Sequence, residues 1–428
     1  MTLPEDRLCD VESMMRMSGL ALIAFVRLSL QILAVGVSLP RRILATLSVY
    51  CAGLIALEKK QTALRITRSL GGLNHDSLTR MLSTAQWNCS ALLRHFLTII
   101  QLVLGHGYLV IDDTLIPHPR SKKMEGVYWD FDHAENRNVY GQRLVVLLWS
   151  NGFWRIPLGF SFWHKQGARA KYRTKNEIAA TLLKWAIHHG VNADYVTFDN
   201  WYASKENMKL IVNDLGLGFV TRLKRNCRLL YEGKKLQART IGRRVLQAAR
   251  SYKQRGLGVW ARVAEVQVAD MGRMSFVVVK DDLDGERSTI KYLLASTPRS
   301  SAREVILRYR SRWIIETFFQ DLKQYLGLCS HQGLKLCASE RHVAAACLAL
   351  VVLDHARLVS GCSLAETKSI LQRLIFVSTR SGQMQLATLE PVPAERMDRL
   401  DEAKDVVDRQ LESVTGLVLR KYQRLASL

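Results

Sequence analysis

The sequence predicts an α/β chain: a mixed sheet carrying a β-rich insertion, flanked by helical N- and C-terminal regions. Three observations lead there. Helical patterning with few strand signals fills residues 1–104. From Gly107, short apolar and β-branched runs alternate with amphipathic stretches. After Gly327 the helical patterning returns. A chain of 428 residues is long enough to divide into roughly two to four domains.

The first apolar stretch, residues 19–39 (GLALIAFVRLSLQILAVGVSL), is followed by Pro40-Arg41-Arg42. Its length would span a bilayer, but Arg27 and Gln31 lie near its middle. An arginine at the bilayer centre costs about 2.5 kcal/mol or more. A buried helix or helix pair is expected, with no stable membrane insertion. The acidic start (Glu5, Asp6, Asp10, Glu12) does not fit a signal peptide. Residues 61–83 read as helix, a Gly71-Gly72 turn, a cap at Asn74-His75-Asp76-Ser77 and a second helix. That layout is helix–turn–helix-like, with Arg65, Arg68 and Arg80 available to phosphates. A plain helical hairpin fits the pattern equally.

Tyr108 to Asp112 reads as a buried strand. Arg143 to Trp149 and Trp154 to Trp163 form a hairpin about Asn151-Gly152. An amphipathic helix from Thr174 to His189 follows, then a strand at Tyr195 to Asp199, a helix at Ser204 to Leu215 and a strand at Leu217 to Leu223. Three strands, helix, strand, helix, strand is the succession of a ribonuclease-H-like domain, and the helix at 301–325 would complete it. Residues 224–299 interrupt the domain. Their alternation at Val259 to Val268, Met274 to Val279 and Ile290 to Ala295 predicts a β-rich insertion. The expected segments are therefore a helical DNA-binding region at 1–104, the first part of the core at 105–223, the insertion at 224–299, the last core helix at 300–330 and a helical region at 331–428. In the last of these, Leu400, Ala403, Val407, Leu411, Val414, Val418, Tyr422 and Leu425 make a helical stripe. It suits packing on its own domain, with a dimer contact as the alternative.

The formal net charge is +23 with a pI near 9.9, which implies a polyanionic partner, nucleic acid before an anionic membrane. Residues 200–260 hold 14 Lys or Arg against 3 acids. Aromatics and glycines break up the run, so it reads as a folded basic surface. The eight cysteines show no C-x-x-C pair. Cys329 and His331 lack a second ligand pair, so zinc is not expected, and scattered thiols suit a reducing cytosol.

Between Tyr309 and Lys323 the chain reads YRSRWIIETFFQDLK. On a continuous helix Tyr309, Arg312, Glu316 and Lys323 return to one side, within roughly 60° of each other. Trp313, Ile314, Ile315, Phe318, Phe319 and Leu322 would bury the rest. Buried charges persist only when paired or bound to a metal or an anion. A carboxylate among cations and a phenol is suited to holding a metal ion together with a phosphodiester.

Two further acids end predicted strands: Asp112, within Asp112-Asp113-Thr114, and Asp199. Phosphodiester chemistry of this kind uses carboxylates converging on two divalent ions about 3.5–4 Å apart. In a ribonuclease-H-like sheet the acids come from the first strand, the end of the fourth and the last helix. Strand alternation turns Asp112 and Asp113 to opposite sides, so one of them faces the metals.

The spacing Y-x2-R-x3-E-x6-K resembles the signature of bacterial DDE insertion-sequence transposases. Asp112-Asp113-Thr114 resembles that family's first-acid box, Asp199-Asn200-Trp201-Tyr202-Ala203-Ser204 its second, and the stretch from Gly126 to Leu148 its link between strands. The likeness covers roughly residues 105–330 and implies a ribonuclease-H-like catalytic domain. It implies Asp112, Asp199 and Glu316 as catalytic ligands of two Mg²⁺ (or Mn²⁺) ions, with Asp113 as fallback for the first. It implies Tyr309, Arg312 and Lys323 as DNA contacts. Lys122 and Lys123 could add to that surface but read as solvated loop lysines. Core burial is the default for Trp201 and Trp260, stacking on unpaired bases the alternative. The expected partners are double-stranded DNA, at transposon ends and target, and a second copy of the chain in the DNA complex. The expected location is the bacterial cytoplasm, at the nucleoid. A nuclease of the same fold and a non-catalytic regulator of transposition are the alternatives.

Overall fold

The computed structural model describes residues 39–373 apart from 71–72, 90–92, 94–104, 122, 133–134, 167–171, 249–251 and 282–289. The apolar stretch before residue 39, Lys122 and the stripe after residue 397 lie outside the described residues. The chain forms two compact units. One comprises residues 1–103, 115–142 and 318–428, the other 104–114 and 143–317. Strands β1 (Tyr108–Pro117) and β3 (Arg137–Ser150) and helix α8 (Trp313–Tyr325) each run from one unit into the other.

The sheet of the second unit begins with the hairpin of β3 and β4 (Arg155–Trp163), which are antiparallel with a register shift at Leu147/Leu148. The turn between them is shaped locally. Asn151 Oδ1 accepts from the N–H groups of Phe153 and Trp154, and Gly152 takes φ +96°, which favours glycine. Next to β3 lies β1, then β5 (Tyr195–Phe198) and β6 (Gly218–Arg222). β1, β5 and β6 are parallel, with Leu109 opposite Val196 and Tyr195 opposite Gly218. The order β4-β3-β1-β5-β6, with parallel strands beside an antiparallel hairpin, is a ribonuclease-H-like sheet. The crossovers are α4 (Lys175–His188) and α5 (Lys205–Lys209), the latter prolonged by a π-turn at Leu210–Asp214. Parallel strands covered on both faces read as continuous apolar runs, which is why β1 and β5 were legible.

The insertion does not stand apart from this sheet. It comprises β7 (Arg228–Tyr231), β8 (Lys234–Gln237), α6 (Ala238–Ala248), β9 (Tyr252–Gln254), β10 (Val259–Val268), β11 (Gly272–Lys280) and β12 (Lys291–Ala295). β12 pairs antiparallel with β6, and β11, β10, β7 and β8 follow outward. The strands thus extend the sheet beyond β6. Helix α6 was not anticipated by the alternation. Helix α7 (Ala302–Arg310) seals the junction: Val305 and Ile306 pack with Val220, Val259, Val277, Val279 and Leu293, and Tyr309 lies against this cluster.

In the first unit, helices from both ends of the chain pack together. These are α1 (Arg41–Ala56), α2 (Ala63–Leu70), α3 (His75–Ser83), α9 (Leu336–Ser360) and α10 (Leu364–Arg373). As expected for a cap, Asn74 precedes α3 and its side chain accepts from the Asp76 N–H at 3.1 Å. Strand β2 (Tyr128–Asp132), absent from the sequence reading, pairs with the first residues of β3. Among the described residues one stretch, Leu336–Leu358, is long and apolar enough to cross a membrane, and 78% of its apolar window is buried. The C-terminal carbonyls of α8 are closed within this unit. Lys368 Nζ and Gln61 Nε2 both donate to Tyr325 O and to Leu57 O.

Candidate active site

The stripe from Tyr309 to Lys323 is not one continuous helix. It breaks between α7 and α8 at Ser311-Arg312. There the bonds tighten to three-residue spacing, with Arg312 N to Tyr309 O at 3.1 Å and Ile315 N to Arg312 O at 3.1 Å. The Ser311 hydroxyl donates to Arg308 O at 2.6 Å and meets the Tyr195 hydroxyl at 3.0 Å, a local competition that disfavours continued helix. Tyr309 therefore ends α7, Arg312 sits in the break, and Glu316 and Lys323 lie on α8. Trp313, expected to be buried, is 62% exposed.

The break aims Arg312 at acids from distant parts of the chain. Its Nη1 donates to Asp112 Oδ2 at 2.8 Å, and its Nη2 pairs with Glu316 Oε1. Its Nε is buried and, among the described residues, has no hydrogen-bond partner. The guanidinium also stands 5.7 Å from the Tyr309 ring centroid. Burial alone would loosen its proton, but Asp112, Tyr309 and Glu316 hold the charge more firmly than usual.

Asp199 ends β5 in an Asx turn, its Oδ1 accepting from Trp201 N–H at 2.8 Å and Tyr202 N–H at 3.4 Å. It joins the same electrostatic group. Asp112 is pushed up to about 8 by burial and then by the Asp199 charge, with Arg312 pulling the other way. Asp199 is raised by burial, against the Trp201 N–H bond and Arg312. Asp112 and Glu316 thus share one guanidinium, and Asp199 is coupled to Asp112 and to Arg312 through their charges.

Asp113 is engaged differently. Its Oδ2 accepts from Arg143 Nη1 at 3.1 Å and Lys175 Nζ at 3.0 Å, and its Oδ1 from the Tyr202 hydroxyl at 2.7 Å. All three partners escaped sequence reasoning as a network. Arg143 and Tyr202 lay inside stretches already singled out, but Lys175 carried no local signal. It opens α4 beside a capping box of Thr174 and Glu177, where the helix dipole disfavours a cation. That misfit is the trace its pairing with Asp113 leaves in the sequence.

The donor set of Asp112, Asp199 and Glu316 is all oxygen, which fits Mg²⁺ or Mn²⁺. Among the described residues no three His, Cys, Asp or Glu side chains lie close enough to hold a metal ion. Lys323 is half-buried, two turns beyond Glu316 on α8, and Lys123 is exposed. Trp201 is 51% exposed, contrary to the default of core burial, while Trp260 is half-buried.

Residues 38–276 match the family model described as DDE superfamily endonuclease. The chain belongs to this family. The match covers Asp112 and Asp199 and ends before Glu316. Among solved structures the chain is similar to the Drosophila P element transposase strand transfer complex, at TM-score 0.21 and 11% identity, over 92% of this chain and 83% of that one. No curated protein matches.

Proposed function

We propose that this DDE superfamily endonuclease is a DNA transposase. It binds the terminal inverted repeats of an insertion sequence, cleaves at the element ends and joins the freed 3′-OH ends to target DNA. The observation that carries this reading is the gathering of Asp112, Asp199 and Glu316, from β1, the end of β5 and α8, around Arg312. Asp112, Asp199 and Glu316 would hold two Mg²⁺ or Mn²⁺ ions, which would supply activation of the attacking oxygen and stabilisation of the leaving one.

The side chains divide the remaining work. Asp112 is favoured over Asp113 as the first ligand, because it shares Arg312 with Glu316 and is coupled to Asp199, whereas Asp113 is held by Arg143, Lys175 and Tyr202. Arg312 neutralises Asp112 and Glu316 in the free protein and turns to a DNA phosphate when metal and DNA enter. Tyr309 and Lys323 contact further DNA phosphates. The basic surface of residues 200–260 holds the backbone without reading sequence. The protein works as a homodimer, one copy at each element end, at the nucleoid of a bacterial cytoplasm.

Glu316→Gln removes a charged ligand while leaving the phosphate contacts, so Mg²⁺-dependent cleavage of element-end DNA should vanish with end binding nearly unchanged. Normal cleavage by this variant would refute the assignment. The family description favours one second reading, a metal-dependent nuclease without strand transfer. Cut ends that never appear joined to target DNA would select it.

A further inference from the structure

Beside the acids lies an exposed aromatic surface that the cleavage chemistry leaves unused. Trp201 sits two residues after Asp199, and its backbone N–H is fixed on the Asp199 carboxylate at 2.8 Å. The indole is half in water, at 51% exposure, although burial of an aromatic this large is strongly favourable. Two ammonium groups flank it: Lys175 Nζ at 4.9 Å and Lys224 Nζ at 5.3 Å from the ring. Lys175 is also 5.6 Å from the Trp163 ring.

The two lysines differ in what else they do. Lys175 is only 13% exposed and is bound to Asp113 at 3.0 Å, so it is a fixed part of the site. Lys224 is exposed, and among the described residues its ammonium makes no ion pair. It rests on the indole by a cation–π contact worth roughly 0.5–1 kcal/mol at an exposed position. That contact is weak enough to be exchanged for a phosphate. An indole anchored beside the acids, with one fixed and one exchangeable cation, offers a π-face and a phosphate contact together. That is the chemistry of a stacked, unpaired nucleobase and its adjoining phosphodiester.

We infer that Trp201 is a stacking platform for one unpaired DNA base next to the cleavage site, with Lys224 releasing the indole to hold the neighbouring phosphate. This rests on the DNA-cleaving reading above. It assigns Trp201 a role in choosing DNA whose end is already open over fully paired duplex.

The test uses the full chain in metal-free buffer, so that binding is read without cleavage. The probes are a duplex with a short 3′ overhang carrying 2-aminopurine and a blunt duplex of equal length. The unsubstituted protein should prefer the overhang and quench its fluorescence. Trp201→Ala and Trp201→Leu should each lose about tenfold of that preference and the quenching, with blunt-duplex binding retained. Trp201→Phe, which keeps a π-face, should retain most of both. Lys224→Ala should lower the salt slope of overhang binding by about one.

A wild-type overhang-to-blunt ratio in Trp201→Leu, with quenching intact, overturns the inference. So does an unsubstituted protein with no overhang preference. If the preference depends on Trp201 while Mg²⁺ never yields cleavage, the platform stands and the catalytic reading falls. Cleavage that depends on Glu316, with a preference indifferent to Trp201, does the reverse.

Discussion

Arg312 reaches across 200 residues of sequence to bind Asp112 at 2.8 Å. The bond places a cation where the acids of a metal-dependent site gather, and makes the guanidinium a competitor for any ion added there. Replacing it by Gln leaves Asp112 and Glu316 without their counter-charge. The DNA-free Arg312→Gln protein should therefore melt several degrees lower and gain more thermal stability than wild type from the same Mn²⁺ concentration. Melting curves over a Mn²⁺ series check both parts. A smaller Mn²⁺ response than wild type would show that Arg312 orients the ligands and does not compete with the metal.

Asp112 and Asp113 are neighbours with opposite expectations. Arg143 and Lys175, at 11% and 13% exposure, both pair with Asp113. Asp113→Asn removes the carboxylate that both nearly buried cations share and should lower the melting temperature sharply. Asp112→Asn removes a carboxylate already held toward its neutral form by burial and by Asp199. Because Arg312 keeps Glu316 as a partner, the substitution should cost less stability than Asp113→Asn while removing the Mn²⁺ response. If Asp112→Asn melts lower than Asp113→Asn, the two roles are exchanged.

The parts of this site that the sequence made legible are those with a local cause. Asp112 and Asp199 follow short apolar runs that read as buried strands, although β1 runs on past Asp112 to Pro117, and Glu316 falls among Ile315, Phe318 and Leu322, which are buried. The break at Ser311 was not legible, because it depends on a hydroxyl finding both Arg308 O and Tyr195. The β12–β6 pairing was not legible either. Alternation marks a strand without naming its partner, so an insertion that extends the core sheet reads the same as one that folds apart. Lys175 meets Asp113 across 62 residues, and only its poor fit to a helix start hinted at that.

The helical unit carries a separate pH dependence. His342 is buried, its Nδ1 2.8 Å from the Tyr50 hydroxyl and its Nε2 3.1 Å from Gly327 O, and its ring stacks on His331 at 5.0 Å. Burial pulls His342 and His118 down to about 4 and His331 to about 2. The unfolded chain binds these protons near pH 6.5 and the folded chain does not, so their stability is present above pH 6.5 and lost as pH falls toward 4. By linkage the loss is about 3 kcal/mol per histidine at pH 4. Melting temperature should fall steeply across that window, and His342→Gln should flatten the fall. An equal slope in that variant would place the acid sensitivity elsewhere.

The last prediction concerns the edge of the extended sheet. Lys224, Arg225 and Arg228 lie at the start of the insertion, where residues 200–260 carry 14 basic side chains against 3 acids. Arg225 also acts with Arg239 and Arg243 on the Tyr292 hydroxyl of β12, so cations here are gathered from α6 and the loop before β7. Contacts of this kind displace counterions from phosphates irrespective of base sequence. Neutralising Lys224, Arg225 and Arg228 together should weaken binding to element-end and unrelated duplexes by the same factor, and lower the salt slope by about two to three. Affinity for both duplexes, measured across a salt series, tests this directly. If only the element-end duplex were affected, these side chains would be reading base edges, and the insertion would be a specificity element.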